Sequence, residues 1–145
     1  MDKRINVFEV SPEALEAMLG LEKYIAHSGL DKKLYGLIKT RASQINGCAY
    51  CINMHVRDAM KLGETVQRLF LLDAWTETDL YTEKERAVLA LTEAMTLISD
   101  GHVPDHIYKE AATQLTEKEL AAVIMTVVTI NGWNRISITT RAALD

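Results

Sequence analysis

Apolar residues recur along this chain at intervals of three and four, the spacing of one helical face. Leu15, Met18, Leu19, Leu21, Tyr24 and Ile25 form one such set, opened by Ser11-Pro12-Glu13 and closed by Ser28-Gly29. Serine at an N-cap followed by proline at the first helical position is a helix start, and glycine past the last turn is a stop. Asp31 caps a second helix whose buried stripe reads Leu34, Leu37, Ile38, Ala42 and Ile45, ended by Asn46-Gly47. A third helix runs from there to about Leu62, before Gly63, and a fourth covers Glu64 to about Leu72, with Val66, Leu69, Phe70 and Leu72 suitably spaced. Residues 73–81 show no period and read as a connection.

Two capping boxes follow, in which a threonine caps and a glutamate three residues later returns the hydrogen bond. Thr82-Glu83-Lys84-Glu85 opens a helix to about Ile98, with Ala87, Val88, Leu91, Ala94, Met95 and Ile98 on one face. Asp100-Gly101 breaks it, and Pro104 opens a short helix to about Leu115. Thr116-Glu117-Lys118-Glu119 opens the longest and most apolar helix, ending near Leu144. Its apolar residues, from Leu120 through Val127, Val128, Ile130 and Trp133 to Ile138, cover more than one face, as in a central core helix or half of a subunit interface. No stretch alternates with the period of a strand. The pattern predicts an all-α chain of six or seven helices in one domain over 1–145. Residues 1–10 form a lead-in arm in which Ile5, Val7 and Val10 could pack in extended form, on this subunit or on a neighbour.

Composition narrows the function classes more than the fold. Sixteen basic and 20 acidic residues give a net charge of −4. With no Lys/Arg run, nucleic-acid binding is disfavoured. No apolar stretch is long enough to cross a bilayer, and the start lacks the apolar centre of a signal peptide, so a cytoplasmic protein is expected. In that compartment a lone pair of cysteines serves catalysis or metal binding more often than a structural bridge.

The two cysteines of the chain stand in Asn46-Gly47-Cys48-Ala49-Tyr50-Cys51-Ile52-Asn53-Met54-His55. At ~100° per residue, Cys48, Cys51 and His55 fall within about a sixth of a helix circumference. Two thiols and an imidazole therefore share a narrow stripe at a helix start, where unpaired N–H groups and the helix dipole favour a thiolate. The candidate catalytic residues are Cys48, Cys51 and His55. Cys48 looks the more exposed thiolate, and His55 is one turn from Cys51. A disulfide across one turn would give a two-electron redox cycle. The duller alternative is a pair of buried cysteines acting as small apolar side chains beside a satisfied core histidine. Zinc is a third alternative, but a structural site needs a fourth ligand, and His27, His102 and His106 stand alone. A thioredoxin-type motif would need a βαβ setting that the pattern lacks.

The run Arg41-Ala42-Ser43-Gln44-Ile45-Asn46-Gly47-Cys48-Ala49-Tyr50-Cys51 with Met54-His55 resembles the AhpD-like alkylhydroperoxidase branch of the carboxymuconolactone decarboxylase family. The likeness continues through Gly63-Glu64-Thr65, Leu71-Leu72-Asp73-Ala74-Trp75, Tyr81-Thr82-Glu83, Thr92-Glu93-Ala94, His102-Val103-Pro104 and Asn131-Gly132-Trp133-Asn134-Arg135. It implies an AhpD-like helical bundle assembled as a homo-oligomer, trimer or hexamer, acting as a thiol-dependent peroxidase or disulfide oxidoreductase. By resemblance Cys51 would be the peroxidatic cysteine and Cys48 the resolving one, reversing the order that exposure suggests. The implied partners are a hydroperoxide substrate and a dithiol reductant, typically a lipoyl group on another protein. No cofactor, metal, nucleic acid or membrane is implied. Decarboxylating members lack the cysteine pair.

The family's usual glutamate twelve residues before the first cysteine is here Gly36. Glu85 and Glu93 are candidate replacements, although a surface or structural role suits each better; Tyr35 and Tyr50 are candidate hydrogen-bond donors near the thiols. The missing acid sustains the alternative of a redox-responsive or structural oligomeric module with weak or no peroxidase activity. Trp133, Asn134 and Arg135 either line the thiol pocket or serve packing, with Arg135 salt-bridged. Arg41 and Arg57 read as surface ion pairs.

Overall fold

The computed structural model describes residues 2–144, and these are all-helical. Helix α1 is Val7–Val10, α2 Pro12–His27, α3 Lys32–Asn46 and α4 Ala49–Lys61. Helix α5 is Val66–Phe70, α6 Glu83–Thr96, α7 Asp105–Gln114 and α8 Glu117–Thr140, with a 3-10 segment at Leu72–Glu77. All seven predicted helices are present, within a few residues at their ends. The pattern missed the single turn of α1 and the 3-10 segment, both too short to show a period.

The local chemistry places the boundaries. Asp31 caps α3 through its carboxylate to the Leu34 N–H, and Thr116 caps α8 through the Glu119 N–H. The Thr82/Glu85 capping box forms at the start of α6 with both of its hydrogen bonds. Helix α8 ends at Thr140, with Arg141 in the left-handed region, so the helix stops earlier than its apolar pattern suggests.

Helix α3 is the axis of the molecule. It packs against α4, α6 and α8, and buried residues occur all round it, including Gly36, Lys39, Thr40 and Ser43 beside the predicted apolar stripe. Leu34 and Ile38 join Val88 and Leu91 of α6 and Val123 and Val127 of α8 in one core cluster. Leu37 packs with Leu72, Trp75, Tyr81 and Leu89 in a second. Each such side chain taken out of water contributes about 1.5–3 kcal/mol. At Gly36 the approach to α4 is close: a Cβ there would stand 3.4 Å from the Cβ of Ala59. A small residue at 36 thus sets how tightly α3 and α4 run together.

The last helix is held to α3 by polar contacts as well. Asn134 is fully buried and donates to the Ser43 hydroxyl, while Asn46 donates to the side chains of Asn131 and Asn134. Ser43 in turn donates to the Lys39 carbonyl, and Asn131 donates to Thr96. Arg135, expected in a salt bridge, instead donates to the carbonyl and side chain of Asn131, and among the described residues it has no carboxylate partner.

Several predicted apolar contacts do not form within the single chain. Ile5 and Val10 are exposed, and the arm is anchored by Phe8 packing edge-on against Trp133 and by Arg4 donating to the Thr139 carbonyl. Val66, Phe70 and Ile98 are likewise exposed, because α5 is only one turn long and α6 ends at Thr96, before Ile98. No helix among the described residues is long and apolar enough to cross a membrane.

Asn134→Ala should cost about 1–3 kcal/mol, because it removes the donor to Ser43 and leaves Asn46 with one acceptor fewer in a buried setting. The urea midpoint of the variant measures this. A loss below about 0.5 kcal/mol, typical of surface changes, would mean that this network does not hold α8 to α3.

Candidate active site

The junction between α3 and α4 builds the start of the site. Gly47 lies at φ 68°, ψ 34°, a left-handed conformation that glycine adopts without cost. Its N–H reaches the Gln44 carbonyl, and the next N–H, that of Cys48, reaches the Ser43 carbonyl. This pair of bonds is a Schellman stop. The chain reverses at once, and Cys48 becomes the N-cap of α4, its sulfur accepting from the Cys51 N–H at 3.3 Å.

Cys48 and Cys51 are joined by a disulfide, with Cα atoms 5.3 Å apart, within the normal range. Each cysteine is only 1% exposed, so the expectation that Cys48 would be the more exposed thiol does not hold. Helices α3 and α8 both pack against α4. His55 follows Cys51 by one turn on the same buried stripe, which continues to Ala59. Among the described residues, no three of His, Cys, Asp and Glu converge in an arrangement able to hold a metal ion.

A cavity of about 1000 Å³ opens beside α4. Its wall includes Tyr50, Met54, His55 and Asp58 of α4, Leu15 and Glu22 of α2, and Tyr35 and Lys39 of α3. Phe8 and Trp133 line it too, and Asp2, Lys3, Arg4 and Arg141 add charges of both signs around it. Neither cysteine is part of the wall, so His55 is the member of the predicted stripe that meets the cavity. His55 is 5% exposed and its Nε2 has no hydrogen-bond partner. Burial, reinforced by the Lys39 ammonium and only partly opposed by the Asp58 and Glu22 carboxylates, lowers its pKa to about 4. The imidazole is therefore neutral at pH 7, and its Nε2 is buried without a partner.

The acid in this cavity is one the sequence reading missed. Glu22 forms an ion pair with Lys39 and accepts further hydrogen bonds from the Tyr35 hydroxyl at 2.8 Å and Trp133 Nε1 at 2.9 Å. Burial alone would raise its pKa, but the Lys39 charge and these three donors outweigh that and hold it below the usual carboxylate value. Lys39 is 1% exposed; burial lowers its pKa, and the Glu22 carboxylate opposes that. Burial and the bond to Glu22 raise the pKa of Tyr35, whose hydroxyl is thus directed to Glu22.

The two acids considered from sequence are engaged elsewhere. Glu85 closes its capping box and pairs with Arg68, and Glu93 accepts from Arg41 and Trp75. Neither lines the cavity. Arg41 is not a surface pair: its side chain is 11% exposed and reaches both Asp73 and Glu93. A signal for Glu22 was available. Leu15, Met18, Glu22 and Ile25 are spaced three, four and three apart, so a carboxylate occupies a position that the helical period assigns to the core.

An all-helical fold that seats a buried CxxC disulfide at a helix start, one turn from a neutral histidine, is consistent with thiol chemistry. The chain belongs to the carboxymuconolactone decarboxylase family, whose sequence model matches residues 12–94. It is 43% identical over 138 residues to the uncharacterised protein YdfG of Bacillus subtilis (strain 168), covering 95% of this chain and 94% of that one. It superposes at a TM-score of 0.95 on ATU0492 of Agrobacterium tumefaciens, with 38% identity over 99% of both chains. That protein is of unknown function and provisionally named an AhpD antioxidant-defence protein. The debrominase Bmp8, 22% identical, shares the fold at a TM-score of 0.84 over 95% of this chain and 74% of its own.

The His55 environment makes a pH prediction. Above about pH 6.5 the imidazole is neutral in both the folded and the unfolded chain and adds no pH dependence. Below that, the unfolded chain takes up a proton that the folded one refuses down to about pH 4. Stability should therefore fall with falling pH across this window, by as much as about 3 kcal/mol from His55 alone. Urea midpoints at pH 7.5 and 4.5, compared between wild type and His55→Gln, test this. The same acid sensitivity in both proteins would refute it.

Proposed function

We propose that this protein is a thiol-dependent peroxidase or closely related disulfide oxidoreductase working through Cys48, Cys51 and His55. The observation that carries this reading is the buried, unpaired Nε2 of a neutral His55, a residue of the cavity wall, one helical turn from a cysteine already bonded to its partner. Membership of a family with AhpD-like members supports it.

In the proposed cycle His55 accepts the Cys51 proton. The Cys51 thiolate attacks the terminal oxygen of a hydroperoxide. An S–O bond forms as the O–O bond breaks, and the departing alkoxide takes a proton to leave as an alcohol. Cys51 is then a sulfenic acid. Cys48 attacks its sulfur and water leaves, giving the disulfide. A dithiol reductant, such as a lipoyl group carried by another protein, exchanges with the disulfide and departs oxidised, restoring both thiols. Cys51 is assigned the first step because it, not Cys48, stands one turn from His55. Val128 and Ile138, which α8 leaves exposed, support a further proposal that the chain works as a homo-oligomer, trimer or hexamer.

A second reading, a redox-responsive module without a dedicated substrate, is favoured by the 1% exposure of both cysteines and by glycine at position 36.

Both readings meet in one assay. Fully reduced protein is mixed with cumene hydroperoxide, and free thiols are counted after rapid quenching. Two thiols should disappear per equivalent of peroxide, roughly 10²-fold faster than from free cysteine, the scale of general acid–base help. Cys51→Ser should abolish the fast phase, and Cys48→Ser should stop at a sulfenic acid that dimedone traps. Dihydrolipoamide should restore both thiols in the wild type. Loss at the rate of free cysteine would refute the peroxidase and leave the redox-responsive module.

A further inference from the structure

The wall of the large cavity changes character from its interior to its exposed side. Phe8, Leu15, Met54, Trp133 and Ile136 are half-buried and line it with apolar and aromatic surface. Its volume of about 1000 Å³ is that of a site for a small organic molecule. The charges of the wall do not balance. Glu22 is matched by Lys39, and Asp58 has Lys61 at 3.8 Å. The remaining charged residues come from the two ends of the chain and are all exposed: Asp2, Lys3 and Arg4 before α1, and Arg141 directly after α8. Three cations there face one acid, in a chain whose net charge is −4.

The two arginines use little of their hydrogen-bonding capacity. Arg4 donates through Nη1 to the Thr139 carbonyl at 2.8 Å, and Arg141 through Nη1 to the Asp2 carbonyl at 3.4 Å. Arg141 thus meets the backbone of Asp2, not its carboxylate. Among the described residues neither arginine has a carboxylate partner. A guanidinium carries five N–H donors in a fork that matches a carboxylate with two parallel hydrogen bonds.

We propose that this cavity is a binding site for an amphipathic organic anion, its apolar body against Phe8, Leu15, Met54, Trp133 and Ile136 and its carboxylate held by Arg4 and Arg141. Covering the apolar wall is favourable in proportion to the area removed from water. The head group supplies the ionic partner that both arginines lack. A neutral apolar molecule would leave them without one, and a cationic amphiphile would meet a surplus of like charge. Neither cysteine lines the cavity, so the site stands whether or not the thiols reduce a peroxide.

Dodecanoate below its micellar concentration is the probe, added to the full chain in its disulfide form at pH 7.5. Binding is followed by calorimetry and by the NMR signal of the Trp133 indole N–H, assigned with Trp133→Phe. One saturable site is expected, with the Trp133 signal shifting in step. Acetate, the head group alone, should not bind measurably. Dodecyltrimethylammonium should bind at least tenfold more weakly than dodecanoate. The double variant Arg4→Ala/Arg141→Ala should weaken dodecanoate by about tenfold, the scale of two partly screened ion pairs. Raising the salt concentration should weaken it in the wild type. Arg4→Lys/Arg141→Lys keeps both charges and should retain most of the affinity. Equal losses in the alanine and lysine variants would assign the effect to anchoring of the arm and overturn the ionic role. No saturable binding, shifts spread over the whole surface, or equal binding of the cationic amphiphile would overturn the proposal.

Discussion

The Lys39 ammonium is the constraint around which the functional half of the molecule is arranged. It lies near the middle of α3, the most enclosed helix, and is 1% exposed. Left unpaired there, it would cost several kcal/mol, a large part of the net stability of a domain this size. The fold therefore brings a carboxylate to it. Glu22 can reach only if α2 crosses α3 at that level, and Trp133 can add its donor only if α8 lies alongside. One buried charge thus fixes the relative placement of three helices. The cavity forms where they meet α4.

The second constraint is the reversal at Gly47. Its left-handed backbone ends α3 with no linker, so the N-cap of α4 is the very next residue. This puts Cys48 at a cap and Cys51 in the first turn. It also runs α4 back along α3 closely enough for position 36 to face Ala59. His55 and Lys39 both line the cavity. The charge cluster and the sulfur pair are linked through two adjoining helices.

Sequence reasoning read the local features well and the long-range ones poorly, for a physical reason. Caps at Asp31, Thr82 and Thr116 and the stop at Gly47 are set by a few adjacent residues, and all were legible. The CxxC-plus-His stripe was legible for the same reason. Glu22, by contrast, matters only through partners 13, 17 and 111 residues away. Glu85 and Glu93 looked better because they lie in a well-marked helix, yet each is claimed by an arginine that local pattern could not reveal. Exposure of the cysteines was misread because helix starts are usually open. Here neighbouring helices cover this one. The surplus of apolar residues in α8 was visible, but which of them face outward depends on packing against α3.

A purely structural role for the disulfide fits this arrangement badly. A bridge between residues three apart closes a very short loop, and by chain entropy it contributes about 2 kcal/mol, well under what a long-range bridge would give. If the cysteines served only as small apolar side chains, they would need no polar neighbour. The fold nevertheless keeps an imidazole with an unpaired nitrogen one turn from Cys51 and a buried ion pair in the wall of the same cavity. An unpaired buried nitrogen and a buried ion pair each lower stability compared with apolar replacements. Neither improves the packing of the sulfurs. Both belong to residues that line one cavity, and that shared setting is the physical reason to consider the cluster and the disulfide together.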